Sequence, residues 1–257
     1  MSLSQYSISG PAAGLYSAPM ELRGASALVT GAGRGIGRAI ARLVAREGVR
    51  VTAVSRTRAD LDSLVAEITA EGGSASAFVG DLREPGVPDA AVAAAVRNHG
   101  RLQILVNNAG VGGFSALAEM SDADWDRILG TNLTAVFRTT RAALPHLAKG
   151  GGHVFMISSL AGRNAIANMS AYCASKAALD QLAACLMLEV RNEGVKVTTI
   201  APGSVHTGFG GMPRKGDSDW MLSAEDVAAA VLDLLKTRAG AHLSRLELRP
   251  AKPPTRA

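Results

Sequence analysis

The sequence predicts an α/β fold: a doubly wound parallel sheet of about seven strands with helices on both faces, a three-layer sandwich in one domain. Three observations point to it. From Ser26 onward, apolar runs of strand length alternate with amphipathic segments of helical length, the order that builds βαβ units. Glycines stand where the helices should end. The first strand also runs straight into a glycine-rich turn and then a helix.

Taken in order, strands are expected over 27–30, 49–54, 75–79, 104–107, 153–157, 195–200 and 243–248. Helices are expected over 36–47, 59–70, 87–99, 122–147, 171–193 and 224–237. Gly48, Gly72, Gly100, Gly150 and Gly194 follow helix ends, where a left-handed residue commonly closes the last turn. The pattern has no second copy and no long linker, so 23–249 reads as one domain, with a short polar loop at about 204–223. Residues 1–22 are rich in Ser, Gly, Ala and Pro with Glu21 as their single charge. They read either as a flexible extension or as a short arm that docks on a neighbouring subunit. They lack the basic start and compact apolar segment of a secretory signal. Residues 250–257 read as a flexible, Pro-rich basic tail.

Composition excludes several classes. No apolar run approaches the roughly 20 residues that span a bilayer. The net charge of +5 is spread along the chain rather than gathered into a basic block, which argues against nucleic acid and for a small phosphate-bearing ligand. The five histidines show no ligand spacing, so no metal site is expected. Cys173 and Cys185 lie 12 positions apart in one expected helix, about 18 Å and beyond disulfide reach. Reduced thiols fit a cytoplasmic protein.

The turn after the first strand reads Thr30-Gly31-Ala32-Gly33-Arg34-Gly35-Ile36-Gly37. Glycines there allow a tight turn and close approach of backbone to a pyrophosphate at a helix N-terminus, the Rossmann arrangement. The second strand ends in Ser55, Arg56 and Thr57, with no carboxylate to bind an adenosine ribose hydroxyl. Hydroxyls, a guanidinium and Arg34 within the glycine turn suit a 2′-phosphate, so NADP is expected ahead of NAD. The plainer alternative is that this segment only opens the next helix with solvated charge. Asp81, before Leu82, either accepts from an adenine amino group or caps its own turn. The fourth strand ends in Asn107-Asn108-Ala109-Gly110, small and polar where a cofactor would pass. Asn132 lies within a long helical pattern, where it either satisfies itself locally or marks a distortion aiming it toward Lys176 through water.

Tyr172 and Lys176 are spaced i, i+4, which sets them on one face if a helix starts near Ser170. Alone, such a pair is commonly a solvated helix face. An ammonium about 4 Å from the phenol contributes on the order of 4 kcal/mol, enough to bring a pKa of about 10 down to about 7. A tyrosine so placed can give and take a proton near neutrality.

These elements together resemble the short-chain dehydrogenase/reductase family, in its single-domain branch. The matching residues are the Thr30–Gly37 turn, Asp81, Asn107–Gly110, Asn132, Ser159, Tyr172 with Lys176, and Pro202-Gly203. Tyr172 follows Ser159 by 13 positions and follows Asn132 by 40, as the family spaces them, and the resemblance runs over about 21–248. The segment around Arg56 looks most like NADP-preferring carbonyl reductases. The resemblance implies hydride exchange between NADP(H) and a ketone or secondary alcohol, with Tyr172 as acid and base, Ser159 holding the substrate oxygen, Lys176 tuning the tyrosine and Asn132 anchoring a proton-relay water. It implies a cofactor site of Gly31, Gly33, Arg34, Gly35, Ile36, Gly37, Ser55, Arg56, Thr57, Asp81, Leu82, Asn108, Ala109, Gly110, Tyr172, Lys176, Pro202, Gly203, Val205 and Thr207.

The chain departs from the pattern in two places. The loop after Pro202-Gly203 is short, with Phe209, Met212 and Trp220 as its apolar points and His206 either facing substrate or merely solvated. The C-terminus lacks the Asp-Gly-Gly segment of many fatty-acid-type members, which weakens but does not remove a 3-oxoacyl carrier-protein reductase as the alternative. A non-catalytic NADP-sensing protein is the alternative of another class. An apolar substrate pocket is expected from Val111, Phe114, Leu160, Asn164, Ile166, Phe209 and Trp220. A homodimer or homotetramer is expected through the helices carrying Asn132 and Tyr172, unless the stripe Leu179, Leu182, Leu186 is ordinary core.

Overall fold

Seven parallel strands form a single sheet in the order β3-β2-β1-β4-β5-β6-β7. They are β1 (Ser26–Thr30), β2 (Arg50–Ser55), β3 (Ser74–Val79), β4 (Ile104–Asn107), β5 (Gly152–Ile157), β6 (Val195–Pro202) and β7 (Arg245–Leu248). The computed structural model describes residues 19–209 and 220–252. The expected extension up to residue 18, the loop segment 210–219 with Met212, and the tail 253–257 lie outside the described residues.

The helices are α1 (Gly35–Arg46), α2 (Arg58–Ala70), α3 (Val87–His99), α4 (Asp122–Leu129), α5 (Ala135–Leu147), α6 (Ser170–Val190) and α7 (Ala224–Leu235). One sheet face is covered by α1, α2 and α7, through Ile40, Val44, Leu61, Leu64 and Val231. The other is covered by α3, α5 and α6, through Val92, Ala143, Leu147, Leu179 and Leu186. With both faces covered, β1 and β5 are buried along their whole length. Their near-continuous apolar sequence has that cause.

Three expectations change. The helix expected over 122–147 is broken by one π-helical turn at Gly130–Thr134. The stripe proposed for a twin subunit is core at Leu179 and Leu186, with Leu182 half-buried. Residues spaced three and four apart from Tyr172 to Val190 turn that face of α6 inward. Gly48, Gly72, Gly100 and Gly194 all have positive φ, but after α5 that role passes from Gly150 to Gly151. Among the described residues, no helix is long and apolar enough to cross a membrane.

From β1 the chain winds outward to β2 and β3, then returns to place β4 beside β1. At such a switch point the loops leaving the strand ends diverge and open a crevice. The glycine turn leaves β1 and Asn108 follows β4, so both border it.

Candidate active site

A cleft of about 870 Å³ runs along the C-terminal strand ends. Its floor at one end is the glycine turn. A Cβ on Gly31 would stand 2.9 Å from Asn108 Nδ2 and from the Ala109 Cα. One on Gly37 would overlap Asn108 Nδ2 and the Gly31 carbonyl oxygen. Asn108 closes the cradle from the other side, its Nδ2 donating to the carbonyls of Thr30 (2.9 Å) and Gly31 (3.2 Å). The Thr30 hydroxyl accepts from the N–H groups of Asn108 and Ala109 at 2.9 and 3.0 Å. Thus the ends of β1 and β4 are tied together beneath the space a ligand would enter.

Arg34, Ser55, Arg56 and Thr57 line this end. Arg56 is 63% exposed and lies 4.0 Å from Asp81. Asp81 accepts from the Arg83 guanidinium at 2.6 Å and from the Arg83 N–H at 3.0 Å, so it is engaged in its own turn. That hydrogen bond from Arg83 holds the Asp81 carboxyl below its ordinary range. One carboxylate escaped the sequence reading. Asp60, in the first turn of α2, lies with Ser55 against Gly33, where a Cβ would meet Asp60 Cβ and Ser55 Oγ at 2.9 Å. Its signal was present, since a carboxylate one helical turn beyond a strand end can fold back over the crevice.

The middle of the cleft is built on α6. Tyr172 sits in the first turn of α6 and Lys176 one turn later, both buried. Ser159 caps a short 3₁₀ turn after β5, its hydroxyl accepting from the Ala161 N–H at 3.1 Å and lying near enough to the Tyr172 phenol to influence it. Lys176 Nζ donates to the Ile157 carbonyl at 2.8 Å. Gly110 leaves the gap between the two catalytic candidates behind it. A Cβ there would be 3.4 Å from Asn132 Oδ1 and 3.7 Å from Lys176 Nζ.

The electrostatics differ from the expectation. Burial raises the Tyr172 phenol above its ordinary value, with the Ser159 hydrogen bond acting in the opposite sense. Burial brings Lys176 down to about 8, opposed by the Asp180 carboxylate. Lys176 is not among the groups that shift the phenol, and its Nζ, 5.8 Å from the Tyr172 ring centre, donates to the Ile157 carbonyl.

Asn132 is wholly buried in the π-helical turn. Its Oδ1 accepts from the Val111 N–H at 2.8 Å, and its Nδ2 donates to the Val111 carbonyl at 2.9 Å and to Ser175 Oγ at 3.0 Å. The distortion is there, but the amide is spent on Val111 and α6 and makes no direct bond to Lys176. Ser175 passes the link on, donating to the Tyr172 carbonyl at 2.7 Å.

Of the other cofactor candidates, Gly35, Ile36, Leu82, Ala109, Pro202, Gly203, Val205 and Thr207 line the cleft, while Gly37 lies beneath its floor. Of the substrate-pocket candidates, Val111, Leu160, Asn164, Ile166, Phe209 and Trp220 line it, and Phe209 packs on Tyr172 with ring centres 5.6 Å apart. Phe114 does not; it is 48% exposed on a segment that pairs with Asn168 through Ser115. The structure adds Met169, Met221, Arg249, Pro250 and Lys252 to the lining. Residues 250–252, expected to begin a tail, lie against the cleft because Gly203 leaves room for Pro250, whose Cδ is 3.2 Å from where a Cβ would be.

Comparison with known proteins agrees with this architecture. The family model described as short chain dehydrogenase matches residues 25–216. The chain is similar to a sepiapterin reductase of Chlorobaculum tepidum, 34% identical over 232 residues that cover 87% of this chain and 95% of the relative. It is also similar to a putative ketoacyl reductase of Streptomyces coelicolor, 37% identical over 204 residues and 78% of each chain. Among solved structures, a metagenomic short-chain oxidoreductase in complex with NADP superposes with a TM-score of 0.81 at 35% identity, covering 91% of this chain and 100% of that one. The glycine cradle, the Ser159–Tyr172–Lys176 group and these likenesses lead to one assignment: the chain belongs to the short-chain dehydrogenase family, an oxidoreductase on a Rossmann-like sheet.

Proposed function

We propose that the protein is an NADPH-dependent reductase of ketones, able to run in reverse as a secondary-alcohol dehydrogenase, with Tyr172 as its acid and base. The observation that supports this most is the convergence of Ser159, Tyr172 and Lys176 on one wall of a cleft whose floor is the glycine turn. The cradle suits a dinucleotide: small residues clear the backbone at Gly31 and Gly37, and α1 presents its N-terminus there. Gly31, Gly33, Arg34, Gly35, Ile36, Asn108, Ala109, Gly110, Lys176, Pro202, Gly203, Val205 and Thr207 would hold such a cofactor. The chemistry it supplies when bound is hydride transfer to or from a carbonyl carbon.

The chain's own part is binding and proton transfer. The Ser159 hydroxyl holds the substrate oxygen beside the phenol. A phenol whose pKa is raised by burial is protonated at neutral pH, the form required to donate a proton to a carbonyl becoming an alkoxide. That state favours reduction. Asn132 keeps the backbone at Val111 and the start of α6 in register, which fixes where Tyr172 points.

Arg34, Ser55, Arg56 and Thr57 support NADP over NAD, as an exposed cationic rim suited to a 2′-phosphate. Asp60 beside Gly33 works against it. The likeness to ketoacyl reductases favours 3-oxoacyl thioesters as a second substrate reading. We also propose a homo-oligomer through the outer faces of α5 and α6, where Phe137 and Leu188 are exposed; sedimentation as a monomer at micromolar concentration would remove that proposal. The test of the main reading is NADPH oxidation by purified protein across diketones, sugars, aromatic ketones and acetoacetyl thioesters, with Tyr172→Phe as control. Activity that survives the substitution would refute it.

A further inference from the structure

The charged groups along the cleft are sorted by position. Its carboxylates, Asp60 and Asp81, both lie at the glycine-turn end. At the other end, beyond Leu160 and Phe209, the charged lining is Arg249 and Lys252, and among the described residues no carboxylate faces the cleft there. The main chain brings these residues to the cleft. Gly203 N–H donates to the Leu248 carbonyl at 2.8 Å, and Pro250 then packs beside Gly203 opposite Leu160. Leu160 directly follows Ser159, so the segment 249–252 borders the space where a substrate held by Ser159 would extend.

Local carboxylates do not neutralise this end. Glu247 is shared by Arg249 at 3.0 Å, Arg245 at 3.4 Å and Arg163 at 3.9 Å. Arg245 is also bound by Asp180 at 2.6 Å. Two carboxylates therefore face three guanidiniums, and Lys252 adds a fourth cation. Close to a part-apolar cleft, such an excess attracts an anion and repels a cation.

We propose that the substrate reduced in this cleft carries an anionic group, such as a carboxylate, remote from its carbonyl, and that Arg249 and Lys252 receive it. This rests on the reductase reading given above for the site but concerns recognition only. The gain in affinity is modest, about fivefold, because Arg249 is 59% exposed and partly paired with Glu247.

The experiment compares oxo-carboxylates of increasing length (4-oxopentanoate, 5-oxohexanoate, 7-oxooctanoate) with their methyl esters. Binding to the full chain saturated with NADP⁺ is followed by quenching of tryptophan fluorescence, since Trp220 lines the cleft; this complex cannot turn over. Turnover with NADPH is measured separately. At least one acid should bind about fivefold tighter than its ester. That ratio should fall toward one in Arg249→Ala/Lys252→Ala and in roughly 0.5 M NaCl. Lys252→Glu, an exposed change that leaves the Glu247 cluster intact, should invert it. An ester that binds as well as its acid at every length, or a preference untouched by all three perturbations, overturns the proposal. Acid preference in binding without Tyr172-dependent turnover would keep the anion recognition by Arg249 and Lys252 and remove the reductase reading. Turnover of acids and esters alike would do the reverse.

Discussion

The two ends of the cleft are made differently. At the glycine-turn end, Gly31 to Gly37 are consecutive, and one residue from the next strand end, Asn108, closes the cradle. At the carbonyl end, lining residues come from segments as distant as Val111, Leu160, Phe209, Trp220 and Lys252. The first surface is written in backbone geometry, which only glycine can meet where a Cβ would overlap a neighbour. The second is written in side chains that the fold brings together from afar. A site of the first kind announces its ligand class, whereas one of the second kind yields its lining only after folding.

Tyr172 belongs to the second end but depends on the first, and replacing it should separate them most sharply. Tyr172→Phe removes the hydroxyl beside Ser159 while leaving the ring packed on Phe209. A fall in kcat of about 10²–10⁴-fold is expected, with the Kd for NADPH changed less than twofold. If more than a tenth of the rate persists, the proton comes from elsewhere.

Asn132 joins the two ends, and its loss should cost stability as well as rate. Asn132→Ala leaves the Val111 N–H and carbonyl without their partners in a buried turn. At about 1–3 kcal/mol for each buried group left unpaired, a drop in unfolding free energy of roughly 3 kcal/mol is expected from denaturant titration. A change below about 0.5 kcal/mol would mean that the π-helical turn holds itself.

Gly37→Ala tests the cradle alone. The added methyl meets Asn108 Nδ2 and the Gly31 carbonyl, both fixed. Overpacking of this kind costs about 1–3 kcal/mol, or a fall in Tm of about 5 °C in a domain of this size. NADPH affinity should fall with it. Fluorescence binding and a thermal melt check both, and an unshifted melt would show that the two strand ends are not locked together.

Legibility followed the same division. Strand and helix positions were readable because a sheet covered on both faces demands apolar strands such as β5, and because positive φ at Gly48, Gly100 and Gly194 fixed where helices stop. The break in the helix at Gly130–Thr134 was only half readable: a buried Asn in a helical pattern signalled a distortion but not its form. Phe114 was misplaced because apolar character near Gly110 says nothing of which way a loop turns. Arg249 and Lys252 went unnoticed because their place at the cleft depends on a chain reversal that charge and spacing do not encode, whereas Asp60, one helical turn beyond a strand end, was readable and was missed. The i, i+4 spacing that put Lys176 and Tyr172 on one face said nothing of the Ile157 carbonyl that takes the amine's hydrogen bond, nor of the burial that dominates the phenol.

Coenzyme choice should respond more weakly. Arg56 is 63% exposed, and its nearest partner is Asp81 at 4.0 Å. Arg56→Ala should weaken NADPH by roughly tenfold and NADH little. Asp60→Ala should change the ratio in the other direction, toward NADPH, by relieving repulsion near Gly33. Equal losses for both coenzymes on removing Arg56 would assign the phosphate to Arg34 instead.

A third region, the floor of the sheet at the starts of β5 and β6, lets the comparison be tested from outside the cleft. His153 is buried, and its Nε2–H donates to Thr198 Oγ1, whose own proton goes to the Leu243 carbonyl at 2.7 Å. Burial pushes His153 well below its ordinary value, with Lys196 and His242 acting in the same direction. The unfolded chain therefore takes up a proton that the folded chain refuses. The stability this contributes is complete above the unfolded value of about 6.5 and is lost progressively as pH falls below it, at no more than about 1.4 kcal/mol per pH unit for one histidine. His242, lowered by burial as well, adds to the same slope. Melts between pH 8 and pH 5 should show Tm falling on the acid side, and His153→Gln, which can still donate to Thr198, should flatten the curve. If the wild-type Tm holds to pH 5, water or a proton reaches His153 in the native state and the floor is looser than its packing implies.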